Sequence, residues 1–305
     1  MRVTNNMMTD SLVRYLTSQN EALYERQTII ASQKRINKPS DDPIGTGKIL
    51  DYRQTLASIE QYQTNIQGAN TRLEVTESNL DLVDDLLQLA EGIAETETDE
   101  STASRQQAAE EVKAIYDQVL DLANSKLDGN YLFSGYKTQT APFLRVDDPL
   151  TTTFDRFTVH YMGDDGDARF IVAQNTEIAI EADGQPLFHN TAAGGISVFD
   201  AMRDLIVGLE NGDTDAIYAQ ADLIDQGQKQ IDNIRAANSP IAYQLETTEN
   251  HWINYKSKIQ DLLGKEEEAD ITQAVVELQS IELAYQTTLA TAARIIQPGL
   301  IDFLK

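Results

Sequence analysis

The chain has no cysteine in its 305 residues, which excludes disulfides and thiolate metal sites. This is neutral on compartment, although it suits a protein that leaves a reducing cytosol and persists outside it. Histidine is scarce: His160, His189 and His251 are the whole set. No two stand four residues apart and no carboxylate completes a metal-ligand spacing. His160 and His189 read as sheet-surface residues. No apolar run reaches the length of a membrane-spanning helix. Met1 to Asp10 lacks an apolar h-region, so a cleaved Sec-type signal is not expected. Basic residues are few, with 24 Lys+Arg against 49 Asp+Glu, a net charge of -25 and a pI near 4.3. That balance argues against general electrostatic binding to nucleic acid or anionic membrane.

Catalytic patterns are equally thin. Asp164-Asp165-Gly166-Asp167 lacks the twelve-residue loop and terminal Glu of a calcium site and reads as a turn. Gly45-Thr46-Gly47-Lys48 lacks the spacing of a phosphate loop and reads as a link between helices. The paired carboxylates lie on solvated helix faces. No enzyme, metal or cofactor is expected.

What the sequence does have is an uneven charge layout. Residues 1–48 carry seven Lys/Arg and five Asp/Glu, and residues 269–305 carry two and four. These ends cancel, so the whole net charge of -25 falls on residues 49–268. Like-charged copies repel. If copies pack side by side, contact belongs to the neutral ends, with the acidic part held out in water.

The periodicity is mostly helical. Leu12, Leu16, Leu23 and Ile30 form one stripe, interrupted by Gln19 and Arg26, over Leu12 to Ile36. Lys38-Pro39-Ser40-Asp41-Asp42-Pro43 then breaks the helix. From Ile49 to Ile93 there is no proline, and Tyr52, Ile59, Ile66, Leu73, Leu80 and Leu87 recur every seventh residue. A second stripe at Ile49, Leu56, Gln63, Asn70, Glu77 and Asp84 begins apolar and turns polar. Such a helix would be about 68 Å long, a rod rather than a sphere. An acidic turn at Glu95 to Ser101 precedes a helix over Ala103 to Leu127, stopped by Asp128-Gly129-Asn130 with Gly129 suited to a left-handed cap.

Residues 131–196 change character. Phe154 to Met162 and Arg169 to Gln174, split by Gly163 to Asp167, predict a hairpin. Thr176 to Ala182 and Pro186 to His189 are further strand candidates. Helices return at Val198 to Leu209, capped by Ser197, then at Asp213 to Ala237 and Ile241 to Leu263, with Pro240 a kink or fresh start. Gly264 and Glu266-Glu267-Glu268 mark a joint. The last helix, Asp270 to Gln297, carries Ile271, Ala274, Leu278, Ile281, Tyr285, Thr288, Ala292 and Ile295 at 3,4 spacing. Gln286, Thr287, Ala290, Thr291 and Ala293 leave much of its remaining surface without charge, which suits burial on several sides.

The segment Ala31-Ser32-Gln33-Lys34-Arg35-Ile36-Asn37-Lys38-Pro39-Ser40-Asp41-Asp42-Pro43 resembles the signature of the bacterial flagellin family. Asn130-Tyr131-Leu132-Phe133-Ser134-Gly135, with Thr138 and Pro142-Phe143, resembles the place where that family leaves its helical domain. The opening Met1 to Thr4 and the ending Leu300-Ile301-Asp302-Phe303-Leu304 look more like its hook-associated members than its filament members. The resemblance covers about 1–143 and 198–305; residues 144–197 match nothing usable. It departs at Gln33, where the family commonly has Gly, and at Pro240, where it tends to a continuous helix.

The expected fold is mainly α: an elongated antiparallel long-helix bundle, flagellin-like, with a small β-rich insertion domain and terminal coiled-coil helices. The expected divisions are an N-terminal polymerisation helix and joint (1–47), two rod parts (48–142 and 198–264), the β-rich insertion (143–197) and a C-terminal polymerisation helix (265–305). The resemblance implies an extracellular subunit of the flagellum, exported unfolded by a type III apparatus without a cleaved signal. Its implied partners are copies of itself in a ring or short tube, the first hook-associated protein, flagellin, and a cytoplasmic export chaperone holding its last helix. The expected assembly interface is Leu12, Leu16, Leu23 and Ile30 with the joint residues Lys34, Arg35, Asp41 and Asp42. From the other end it adds Ile271, Leu278, Ile281, Tyr285, Ala292, Ile295, Phe303 and Leu304. Filament flagellin and a secreted coiled-coil effector or adhesin are the competing expectations.

Overall fold

A computed structural model describes residues 5–96, 102–146, 158–180, 182–190 and 195–296. Within them α1 (Asn5–Ser32) and α2 (Pro43–Thr96) are followed by α3 (Thr102–Ala123). Six short strands come next: β1 (Lys126–Leu127), β2 (Asn130–Tyr131), β3 (Phe143–Val146), β4 (Thr158–Tyr161), β5 (Ala168–Ala173) and β6 (Thr176–Ile180). Helices α4 (Gly184–Phe188), α5 (Val198–Asn211), α6 (Thr214–Glu267) and α7 (Ile271–Ile296) complete the order. The chain divides into two compact units, Met1–Ile59 with Ile253–Lys305, and Glu60–Trp252. The acidic segment Glu95 to Ser101 and the tail with Phe303 and Leu304 lie largely or wholly outside the described residues.

Helix α2 starts where its sequence says it must. Pro43 occupies the first helical position, where its missing N–H costs nothing, and the Asp42 carboxylate accepts from the Gly45 N–H at 2.9 Å. Its heptad stripe is the buried one: Ile59, Ile66, Leu73, Leu80 and Leu87 are all 6% exposed or less. The partner stripe differs from expectation. Residues three beyond the first set, Ala69, Thr76, Val83 and Ala90, are fully buried, whereas Leu56, Gln63, Asn70, Glu77 and Asp84 are only half-buried. Small side chains here let a neighbouring helix approach closely.

In the second unit, Glu77 pairs with Arg235 and Glu91 feels the charge of Asp225, so α2 and α6 run antiparallel. Their upper core joins α3 and α5 through Leu80, Val112, Val119, Met202, Leu205 and Ile224. It extends into an aromatic group in which Phe143 lies 5.2 Å from Phe199 and 5.5 Å from Phe188. A separate cluster of Ile66, Leu73, Val172, Ile178, Ile180 and Leu245 seats the β5–β6 hairpin. Asn65 and Trp252 anchor that hairpin by donating to the carbonyls of Ile171 at 2.7 Å and Val172 at 2.8 Å.

Four local expectations are corrected. Helix α3 ends at Ala123. Asp128 and Gly129 both have positive φ (52° and 81°) and turn the β1–β2 hairpin, as a primed two-residue turn requires, instead of stopping a helix. The expected 154–162/169–174 hairpin does not form: β4 pairs with β3 and β5 with β6. The 163–167 segment is held elsewhere, because Asp164 accepts from the Tyr136 N–H at 2.6 Å and Lys137 donates to the Gly163 carbonyl at 3.0 Å. The pairing of β3 with β4 also puts Phe143 and Tyr161 on the core face.

Pro186 to His189 is not a strand. It lies in α4 and its C-cap, with Asp183 accepting from Gln185 N–H as N-cap and Leu187 and Phe188 fully buried. Pro240 does not break α6, because apolar residues on both sides, Ile231 and Leu245, hold the helix in place. Ser197 and Gly212 cap α5 as its pattern requires.

Candidate assembly interface

In the first unit α1 packs against α7. Ala269 N–H donates to the Gln33 carbonyl at one end and Arg26 pairs with Glu277 at 3.1 Å about two turns further on, so the helices are antiparallel. Leu12, Leu16, Leu23 and Ile30 are half-buried on α1, as are Ile271, Leu278, Ile281 and Tyr285 on α7, while Ala292 is buried. Ile295 lies in α7. The two polar interruptions of the α1 stripe are used: Arg26 makes the ion pair, and Gln19 is 9% exposed.

The stripe accounts for only part of the apolar surface. Met7, Val13, Tyr15 and Tyr24 on α1, and Val276, Leu283 and Leu289 on α7, are 43–68% exposed. Sequence periodicity missed them because they lie off the heptad stripe; apolar residues on the opposite face of a helix already poor in charge were the available signal. Threonine hydroxyls beside them are satisfied within their own helices. Thr17 donates to Val13 O at 3.0 Å, Thr28 to Tyr24 O at 2.8 Å, Thr287 to Leu283 O at 2.8 Å and Thr291 to Thr287 O at 2.9 Å. Burying these threonines strands none of their hydroxyl donors, which removes a cost of about 1–3 kcal/mol per unmet group.

The joint between α1 and α2 is a charge knot on the end of α6. Glu267 receives Arg53 at 2.8 Å and also Lys34. Glu266 receives Lys48 at 2.7 Å, and its carbonyl receives Arg35 at 2.9 Å. Arg35 also reaches Asp42 at 3.4 Å, and its backbone N–H donates to the Glu267 carbonyl at 2.7 Å. Among the described residues Asp41 makes no cross-joint ion pair; it accepts the N–H groups of Lys38 at 2.8 Å and Asn37 at 3.1 Å, shaping the turn. Of the four expected joint residues, three therefore meet across charges and one organises backbone. The anchors Lys48, Arg53, Glu266 and Glu267 were not among the expected site residues. Their signal was opposite charge at the two helix ends that border the proline-containing break.

These contacts shift the carboxylates down. Lys38 and Asn37 N–H groups hold Asp41 below its usual value, and the Gly45 N–H does the same for Asp42. Burial works against Glu267, but hydrogen bonds from Lys34 and Arg53 outweigh it and lower its pKa. Beside the knot, a groove of about 720 Å³ opens between α1 and the 35–41 turn, lined by Leu23, Tyr24, Ile29 and Lys38. Among the described residues there is no group of carboxylates and imidazoles placed to hold a metal, and no helix is long and apolar enough to cross a membrane.

Residues 3–138 match the model of the bacterial flagellin N-terminal helical region. Over that segment the chain is similar to the flagellin family. It is 25% identical to flagellar hook-associated protein 3 of Escherichia coli (strain K12), over 94% of this chain and 95% of that protein. It is also 25% identical to flagellin of Bacillus subtilis (strain 168), over 82% of each. Its fold matches a Vibrio parahaemolyticus structure described as a flagellar hook-associated protein, with a TM-score of 0.66 and 22% identity over 75% of this chain and 100% of that one. The flagellin-family signature at Lys34 to Pro43 thus coincides with the charge knot. Gln33, just before it, has φ 60°, the left-handed region where glycine is favoured.

Proposed function

We propose that this flagellin-family chain is a structural subunit of the bacterial flagellum that joins hook-associated proteins to the flagellin filament by self-assembly through α1 and α7. The observation that carries the reading is the exposed apolar side chains of that helix pair, which is nearly neutral in net charge, on a chain whose net charge lies entirely in residues 49–268. Burying this surface between copies is favourable by roughly 25 cal/mol per Å², which outweighs the cost of ordering the ends. The acidic rest of each copy then faces water.

The near full-length relationship to hook-associated protein 3 favours the junction over the filament. The partners that follow are further copies of this chain, the first hook-associated protein, flagellin, and a cytoplasmic chaperone that covers α7 before export. The location that follows is extracellular, at the hook–filament junction, and the role is architectural, without catalysis.

The test is an epitope inserted within residues 147–157 and located by electron microscopy of intact flagella. A short labelled band between hook and filament is expected. Label along the filament would make this a flagellin, and absence of flagellar label would return it to the secreted coiled-coil effectors or adhesins.

A further inference from the structure

Within the second unit, the buried face of α2 passes from one apolar cluster, ending at Leu73, to another, beginning at Leu80. Apart from Val75, which packs on the second cluster, the buried side chain of the level between them is polar. Thr76 is fully buried and its Oγ1 has no hydrogen-bond partner. Arg72 Nε and Glu77 Oε1 are likewise buried without partners. The Arg72 guanidinium donates to the Leu132 carbonyl at 2.7 Å, and burial lowers its pKa.

The facing stretch of α6 is also polar between Ile234 and Ile241, which pack on the two clusters. Ile231 and Leu245 belong to the two clusters, and between them stand Arg235, buried Asn238 and Pro240. Arg235 holds Glu77 at 3.2 Å and Asp81 at 3.0 Å. Pro240 has no N–H, so the Ala236 carbonyl cannot receive its helical bond. Ser239 Oγ donates back to Arg235 O at 3.2 Å, a contact that itself bends helices.

We propose that this level, Arg72–Glu77 of α2 facing Arg235–Pro240 of α6, is a hinge at which the antiparallel helix pair opens locally and bends. Three features converge on it: the apolar core narrows, Arg72 Nε, Thr76 Oγ1 and Glu77 Oε1 are buried without partners among the described residues, and the facing helix lacks one of its backbone bonds. Segments with few apolar contacts and unmet polar groups are the first to open, and sharp helix bends occur at proline. The greater part of each apolar cluster lies to one side of this level, so a bend here leaves most of both packed.

Amide exchange on the full chain tests the hinge without requiring assembly. Residues 236–239 and 241–244 are expected to exchange at least ten-fold faster than 224–231 and 246–250. Pro240→Ala restores the missing donor and should slow exchange across 236–244 by ten-fold or more. Thr76→Val removes the unmet hydroxyl and should slow it several-fold. Spin labels on cysteines introduced at Gln226 and Thr247, in a chain with no cysteine of its own, should give a distance distribution that narrows in Pro240→Ala. Uniform protection along α6 in the wild type overturns the proposal, as does a label distribution unchanged by Pro240→Ala. If Pro240→Ala folds poorly, the wild-type exchange gradient and Thr76→Val decide.

Discussion

Gln33 holds a left-handed backbone conformation with a side chain attached, and its carbonyl accepts from Ala269 N–H. Gln33→Gly should therefore stabilise the α1–α2 link by about 1 kcal/mol, read as slower amide exchange over residues 29–36. Gly45 behaves in the opposite sense. A Cβ there would lie 2.5 Å from Asp42 Oδ2 and 2.6 Å from Ile36 Cδ1. Gly45→Ala should loosen the joint even though alanine is the better helix former, because it displaces the carboxylate that caps α2. Faster exchange of the 44–48 amides would record it; exchange at the wild-type rate would show that Asp42 is not needed as a cap. The Lys34 to Pro43 motif was visible in sequence because proline and aspartate announce a break. That Gln33 is the strained residue, and that Lys48 and Arg53 close the knot, depends on where the other end of the chain arrives.

The helices respond differently to acid. Asp41, Asp42 and Glu267 have folded pKa values below their unfolded ones. Their stabilisation is present above about pH 4–4.5 and is lost as pH falls through the lowered values. In the second unit burial raises Asp84, Glu91 and Asp183. Their cost is felt at neutral pH and is relieved as pH falls through the raised values. Acidification below about pH 4, through the lowered values, should therefore release the joint while the second unit persists, seen as exchange corrected for intrinsic rates; simultaneous loss of both units would contradict this. Core and outer faces should also separate by mutation. Leu80→Ala, in a fully buried position, should cost about 2–5 kcal/mol in denaturant unfolding. Leu283→Ser, at 66% exposure, should stay within about 0.5 kcal/mol yet impair self-association in sedimentation. A Leu283→Ser chain that assembles like the wild type would remove α7's outer face from the interface.

Taken whole, the chain pairs a net charge of -25 with a neutral, apolar helix pair. Copies approaching each other feel repulsion from residues 49–268 before the apolar surfaces meet. Salt shortens that repulsion, with a screening length of about 10 Å at 0.1 M and about 3 Å at 1 M. Self-association followed by light scattering should accelerate as salt rises over that range. A rate that falls with salt would mean that ion pairs between copies, not apolar burial, drive assembly.

Helix placement, the neutral ends, the long buried stripe of α2 and the break at Pro39 to Pro43 were legible in the residues alone, because each depends on local spacing, on proline or on summed charge. Strand partners were not: β4 joins β3 because Phe143 and Tyr161 can then share the aromatic core with Phe188 and Phe199, a choice made by residues far apart in sequence. The second buried stripe of α2, the partners Glu266 and Glu267, and the continuity of α6 through Pro240 were likewise decided only when distant helices packed. Periodicity states that a helix has an apolar face. Which other face is also covered, and by what, is settled by the neighbours that arrive there, and that is why the exposed side chains of α1 and α7 appear as a surface only in three dimensions.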